Sequence, residues 1–179
     1  MRKHIVISGY GGQGIMLAGG ILCQAASIER KNSTFFPSYG AEVRGGAAKC
    51  QVIISDEYIG SPILKDIDIF VCFTSMALKK YSSYVKENGI VLFNSDMVSN
   101  DETNVLSKNI KKIFVSANTL ADSIGNVLFA NVVILGAFIK NINILQKTSV
   151  ISAIKEAFAS KKKQVLDFNL LAFEKGYNL

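Results

Sequence analysis

The chain has 179 residues, of which 49% are hydrophobic and 19% are charged, which predicts a single domain with a large apolar core. The net charge of +6 would suit an anionic ligand or an acidic partner. No basic stripe interleaved with aromatic residues runs along the sequence, so we expect no nucleic-acid binding. The one dense basic run, residues 161–163, is more typical of a solvated helix start.

Three cysteines, Cys23, Cys50 and Cys72, are widely spaced within apolar segments. This pattern predicts reduced core thiols in a cytoplasmic protein rather than disulfides or a metal site. Because the sequence contains no Cys-x-x-Cys pair, we expect this chain to carry no iron–sulfur cluster. The single histidine, His4, precedes the first predicted strand, so we expect no catalytic triad and assign no catalytic residue.

The sequence predicts no membrane segment, either at the start of the chain or in its apolar interior stretches. The first residues lead into a strand that is too short for the apolar region of a signal peptide. The longest apolar stretch, residues 127–139, is interrupted by Asn131 and falls short of the roughly 20 residues that span a bilayer.

The first third of the chain predicts three strands and one helix. Residues 3–8 form an apolar strand, residues 13–27 have helical spacing, and residues 33–37 form a second strand. Apolar and polar side chains alternate over residues 49–55. This alternation predicts a half-exposed strand that runs antiparallel at an edge of the sheet.

The remainder alternates buried strands with helices. The predicted strands are residues 67–73, 90–93 and 112–116, and the predicted helices are residues 76–85, 117–124, 126–140, 148–160 and 162–175. Asn88-Gly89 and Gly176 are interpreted as helix stops. The whole pattern predicts one three-layer α/β/α Rossmann-like domain over residues 1–179, with a mostly parallel sheet.

A glycine-rich loop joins the first strand to the first helix and is the main candidate site. The glycines permit a sharp turn, and the free N–H groups and dipole of the helix start favour an anion. The alternative is a tight packing turn between strand and helix. The candidate cofactor-binding residues are Gly9, Gly11, Gly12, Gln13 and Gly14.

A nicotinamide cofactor would need a further residue that the sequence does not supply. Dinucleotide-binding folds place Asp or Glu at the tip of the second strand, where it holds the ribose hydroxyls. Here that strand runs into Pro37-Ser38-Tyr39, Glu29 precedes it, and Glu42 lies beyond it. A stand-alone nucleotide-binding reductase using NAD(P) is therefore kept only as the alternative.

A second loop, after the second strand, carries several functional side chains within a few residues. Its arginine could bind a carboxylate or phosphate through a planar pair of N–H donors. The alternative is a plain surface loop with a local ion pair. The candidate residues for a substrate or subunit-interface loop are Tyr39, Gly40, Glu42, Arg44, Gly45 and Gly46.

These two loops together resemble the gamma subunit of 2-oxoacid:ferredoxin oxidoreductases. Residues 9–14 (GYGGQG) and 37–46 (PSYGAEVRGG) carry the resemblance, and residues 126–137 resemble that family's later Asn-rich helix. The resemblance covers essentially the whole chain. The related chain of indolepyruvate oxidoreductases shares both loops, so the choice among pyruvate, 2-oxoglutarate and other 2-oxoacids stays open.

The resemblance implies a complex that converts a 2-oxoacid and coenzyme A to acyl-CoA and carbon dioxide, and reduces ferredoxin. Thiamine diphosphate and Mg²⁺ would lie in alpha and beta subunits, and 4Fe-4S clusters in the beta subunit or a ferredoxin-like delta subunit. The present chain would complete the complex and help to line the approach of substrate or coenzyme A. A purely structural subunit with an empty glycine loop is the weaker alternative.

Overall fold

The computed structural model describes residues 1–39, 47–63 and 66–179, with Tyr39 described by its backbone. Six strands form one sheet: β1 (Arg2–Tyr10), β2 (Asn32–Tyr39), β3 (Ala47–Ser55), β4 (Ile67–Cys72), β5 (Val85–Asn94) and β6 (Lys111–Val115). The α-helices are α1 (Ile15–Ile28), α2 (Ser75–Tyr81), α3 (Ala117–Asp122), α4 (Ala130–Asn141), α5 (Lys147–Ala157) and α6 (Lys163–Tyr177). Short 3₁₀ turns span Ser82–Tyr84, Asp101–Val105 and Val127–Phe129.

The sheet has the strand order β2-β3-β1-β4-β5-β6. Strands β1, β4, β5 and β6 pair in parallel, whereas β3 is antiparallel to both of its neighbours. Helices pack on both faces, so the predicted three-layer Rossmann-like fold with a mostly parallel sheet is confirmed.

The antiparallel direction predicted for residues 49–55 is confirmed, but their predicted position at the sheet edge is wrong. Strand β3 is second in the sheet, and β2 forms the edge. On one face of β3, Cys50, Val52 and Ile54 are fully buried under the α1 layer, whereas Lys49 and Gln51 on the other face are only partly covered. The alternation therefore reflects uneven helix cover on the two faces of an internal strand.

The boundaries of α2 and β5 differ from the prediction. Helix α2 ends at Tyr81, and β5 already begins at Val85. Asn88, with φ 62°, and Gly89 lie inside β5, not at a helix end. Between Ile67 and Ile69 of β4, the pairing in β5 advances from Val85 to Ile90, so Asn88 and Gly89 belong to an irregular bulge in that strand.

Helix α4 forms the centre of the larger core and is buried around its whole circumference from residue 131 to residue 139. The helix begins later than the predicted residue 126, because the Asn126 side chain caps the preceding 3₁₀ turn by accepting a hydrogen bond from Leu128 N at 2.9 Å. Gly176, predicted to stop the last helix, lies within α6. Within the described residues, none of the helices is long and apolar enough to cross a membrane.

Candidate functional site

The glycine loop occupies the carboxyl end of β1 and leads directly into α1. Gly12 has φ 96° and Gly14 has φ 71°, both in the left-handed region that glycine adopts without strain. A Cβ built on Gly12 would have no heavy atom within 4 Å. Gly12 is therefore required by the backbone conformation alone.

Gln13 holds the loop closed against the end of β1. Its Oε1 accepts a hydrogen bond from Tyr10 N at 2.7 Å, and its own N–H donates to Tyr10 O at 3.3 Å. Gly9 is buried, and a Cβ there would collide with Gln13 Oε1 and lie 2.7 Å from Phe73 Cβ. Gly9 is therefore a packing glycine, whereas Gln13 fixes the shape of the turn.

Asn131 on α4 secures the other end of the loop. Its side chain is 2% exposed, and its Nδ2 donates a hydrogen bond to Gly14 O at 3.2 Å. A Cβ on Gly14 would collide with Asn131 Nδ2. Sequence reasoning noted Asn131 only as an interruption of an apolar run. A single polar residue in an otherwise apolar buried helix was the signal that could have identified it.

A cleft of about 240 Å³ opens beside this loop, where the carboxyl ends of the four parallel strands meet. Ligands bind at this edge of open α/β sheets. None of the described residues that line the cleft is charged. They are Gly12, Gln13, Phe73, Met97, Asn118, Val127, Leu128 and Ala130. Six of these lie outside the two predicted loops, because they come from segments that are distant in sequence.

Asn118 is the best-anchored polar group in the cleft outside the glycine loop. Asn94, fully buried at the end of β5, donates a hydrogen bond from Nδ2 to Asn118 Oδ1 at 2.9 Å. Asp96 fixes the same short helix by accepting hydrogen bonds from the N–H and hydroxyl of Thr119, at 2.8 and 2.9 Å. Among the described residues, the side-chain amide NH2 groups of Gln13 and Asn118 have no hydrogen-bond partner, so both are free to donate to a ligand.

The rim of the cleft is apolar and exposed. Leu128 is 65% exposed, Val127 46% and Met97 37%. Single exposed apolar residues are ordinary on protein surfaces, but three that surround one cleft are typical of an interaction site. The cleft therefore opens onto a surface suited to contact with another protein.

The second predicted loop is only partly described. Gly40, Glu42, Arg44, Gly45 and Gly46 lie outside the described residues. The two ends of the loop are described: Tyr39 pairs with Ala48, and Ala47 pairs with Tyr10. Both ends thus lie on the side of the sheet where β1 ends and the glycine loop begins. They are at most two strands away from β1.

The three cysteines are free thiols, with Cys50 and Cys72 buried and Cys23 half-buried. Burial raises the pKa of Cys23 to about 11 and those of Cys50 and Cys72 to about 12. Each thiol donates a hydrogen bond to a backbone carbonyl. In the described ranges, no three His, Cys, Asp or Glu side chains are grouped as metal ligands.

Comparison with known proteins identifies the family. Residues 4–179 match the pyruvate ferredoxin/flavodoxin oxidoreductase family. The 2-oxoglutarate synthase subunit KorC of Methanocaldococcus jannaschii is 42% identical, with 100% of this chain and 94% of KorC aligned. The ketoisovalerate oxidoreductase subunit VorA of Methanothermobacter marburgensis is 36% identical over 97% of this chain, but only 35% of VorA is aligned.

A solved structure gives the same result. The gamma subunit of a keto/oxoacid ferredoxin oxidoreductase from Geobacter sulfurreducens is 34% identical and superposes with a TM-score of 0.81, covering 98% of this chain and 96% of that subunit. The resemblance carried by the two loops is thus confirmed over the whole chain. The chain therefore belongs to the pyruvate ferredoxin/flavodoxin oxidoreductase family, as a gamma-type subunit of a multisubunit 2-oxoacid:ferredoxin oxidoreductase.

Proposed function

We propose that this chain completes a thiamine-diphosphate-dependent complex by docking against its alpha and beta subunits, with the glycine-loop cleft lining the approach of coenzyme A or 2-oxoacid. The observation that carries the proposal is a cleft whose described lining is uncharged, with an exposed apolar rim, beside a rigid glycine loop. The similarity to KorC favours 2-oxoglutarate as the 2-oxoacid of the complex. Ferredoxin would accept the two electrons.

The chemistry of the cleft suits binding rather than catalysis. None of the described lining residues is a carboxylate, a thiol or an imidazole. The amides of Gln13 and Asn118 offer neutral donors to carbonyl or phosphate oxygens, and Phe73 and Leu128 offer apolar walls. The start of α1, whose N-cap residue Gly14 provides no side-chain hydrogen bond, leaves backbone N–H groups for an anion.

These groups fit coenzyme A. Its pantetheine arm alternates amides with short apolar segments, and its phosphates match the backbone donors of the glycine loop. Thiamine diphosphate and the iron–sulfur clusters supply the carbon–carbon cleavage and electron transfer from other subunits. This chain would bind coenzyme A, which accepts the acyl group, orient it and exclude water from its path.

Two isosteric substitutions test this role in the reconstituted complex. Gln13→Glu keeps the oxygen that accepts from Tyr10 N, and Asn118→Asp keeps the oxygen that accepts from Asn94. Each substitution replaces a free side-chain amide NH2 group by an anionic carboxylate oxygen. We expect the KM for coenzyme A to rise about tenfold or more with little change in kcat, which corresponds to a loss of about 1.4 kcal/mol.

Gln164→Glu is the matched control, because Gln164 is exposed at the start of α6 and does not line the cleft. It makes the same change in charge and should leave both constants unchanged. If Gln13→Glu and Asn118→Asp leave the KM values for coenzyme A and 2-oxoacid unaltered and weaken only subunit association, the chain is an assembly subunit with an empty loop.

A further inference from the structure

A second cleft lies on the face of the sheet opposite α1, between β3, β1 and the end of α2. Its volume is about 260 Å³. Val6 and Ile67, each 3% exposed, lie deepest among its lining residues. The other described residues that line it are Lys49, Gln51, Lys80, Tyr81 and Tyr84. The cleft is separate from the glycine-loop site, because it lies beside the middle of β1 and the start of β4 rather than at their carboxyl ends.

Two lysines from different elements meet over one aromatic ring in this cleft. Lys49 Nζ lies 5.3 Å and Lys80 Nζ 5.6 Å from the centre of the Tyr81 ring. The ring is held in place by an edge-to-face contact with the fully buried Phe70, at 6.1 Å. The two ammonium groups are therefore positioned by a fixed platform that connects strand β3 to helix α2.

This pair of charges is not neutralised by the described residues. The ion pairs of the described chain involve other cations, and neither Lys49 nor Lys80 takes part in one. Burial lowers the pKa of Lys49, and the charge of Lys80 lowers it further. Two like charges held this close together repel each other unless an anion accompanies them. Cation–π attraction to Tyr81 offsets only part of that cost.

We propose that this cleft binds the phosphate group of a small phosphate-bearing ligand, held by Lys49 and Lys80. Two ammonium groups attract the two or more negative charges of a phosphate monoester or pyrophosphate, and lysine binds phosphate as a point charge. Tyr84, 54% exposed and part of the cleft lining, offers a ring face for the remainder of the ligand. The site is independent of the function proposed for the glycine-loop cleft.

Isothermal titration of the purified full chain with sodium pyrophosphate at low ionic strength tests the site. We expect saturable binding with one pyrophosphate per chain. Lys49→Gln and Lys80→Gln should each raise Kd about tenfold or more. The matched control is Lys79→Gln, which removes the same charge from the neighbouring position of α2 but does not line the cleft. Its Kd should stay within about twofold of the wild-type value.

A second titration distinguishes a site for phosphate from a site for carboxylates. Tricarballylate carries about three negative charges near pH 7, as inorganic pyrophosphate does, but on carboxylates, and we expect it to bind at least about tenfold more weakly than pyrophosphate. Equal affinity would mean that the lysines pair with acidic side chains of a neighbouring protein, which overturns the phosphate assignment. Absence of saturable pyrophosphate binding, or an equal loss in Lys79→Gln, would overturn the site itself, because attraction to the net positive charge would then explain any binding.

Discussion

Gly136 of α4 and Gly176 of α6 lie against each other's helix backbones. A Cβ on Gly136 would collide with Phe173 O, and a Cβ on Gly176 would collide with Val133 O. Because neither glycine has a side chain, the two helices approach closely enough to bury α4 from residue 131 to residue 139. The same helix carries Asn131, which binds the glycine loop. The close packing of α4 on α6 therefore fixes the position of Asn131, and with it the end of the glycine loop.

Gly176→Ala should destabilise the chain. The added methyl group has backbone rather than a flexible side chain in its way, so α4 and α6 must separate, at a cost of about 2–3 kcal/mol. Gly20→Ala is the control, since Gly20 lies in the interior of α1 and its Cβ would meet nothing within 4 Å. It should stabilise the chain by about 0.5–1 kcal/mol. Urea unfolding measures both, and similar free energies of unfolding for the two variants would contradict the packing role.

Within the glycine loop, substitutions at Gly12 and at Gly14 should differ in severity. Gly12→Val meets open space, so its cost is the strained φ alone, about 1–3 kcal/mol. Gly14→Ala combines a positive φ with a collision against Asn131 and should cost more than Gly12→Ala. Thermal unfolding of the isolated chain ranks the variants. Gly12→Val should also impair the reconstituted complex, and a fully stable, fully active variant would refute this prediction.

Asp68 should make stability depend on acid pH. Burial alone would raise the pKa of Asp68, but hydrogen bonds from Lys86 Nζ at 2.9 Å and His4 N at 2.8 Å outweigh it and hold the pKa below its usual value. Since the folded pKa is below the unfolded value of about 3.9, this stabilisation is complete above that value and disappears as the pH falls through the folded pKa.

Asp68→Asn should therefore cost about 1 kcal/mol at pH 7 and progressively less at lower pH. Urea unfolding of the wild type and the variant at pH 7 and pH 2.5 provides the comparison. A difference that is the same at both pH values would show that the carboxylate charge contributes nothing.

Arg44 carries a prediction that rests on its sequence position alone. Arg44→Ala should change the melting temperature of the isolated chain little, because exposed ion pairs contribute at most about 1 kcal/mol. In the complex it should weaken subunit association or raise the KM for 2-oxoacid or coenzyme A. Arg44→Lys should rescue only partly, since the planar pair of donors is lost. A large loss of stability with unchanged kinetics would make Arg44 a structural residue.

The layer architecture was predictable because hydrophobic periodicity reports which faces are buried. Buried strands such as residues 67–73 and the fully apolar helix after residue 126 were identified on that basis. Contacts between residues that are distant in sequence were not predictable from this periodicity. Gly176 looked like a helix stop, since sequence alone does not show that Gly136 lies opposite it in space.

The candidate site was predictable only in part, for the same reason. The glycine loop is continuous in sequence, and its glycines predicted the sharp turn between strand and helix. Asn118, Met97 and Leu128 reach the cleft from three separate segments. They are brought together by parallel pairing of β4, β5 and β6, which no local motif reveals.

The central claim is that the chain acts only within a larger oxidoreductase. Its most direct test is coenzyme-A-dependent ferredoxin reduction with 2-oxoglutarate or pyruvate, measured for this chain alone, for the purified partner subunits alone, and for the reconstituted mixture. We expect no turnover by the isolated chain, little by the partners alone, and full activity on recombination. Turnover of either 2-oxoacid by the isolated chain, or full activity of the partners without it, would contradict the claim.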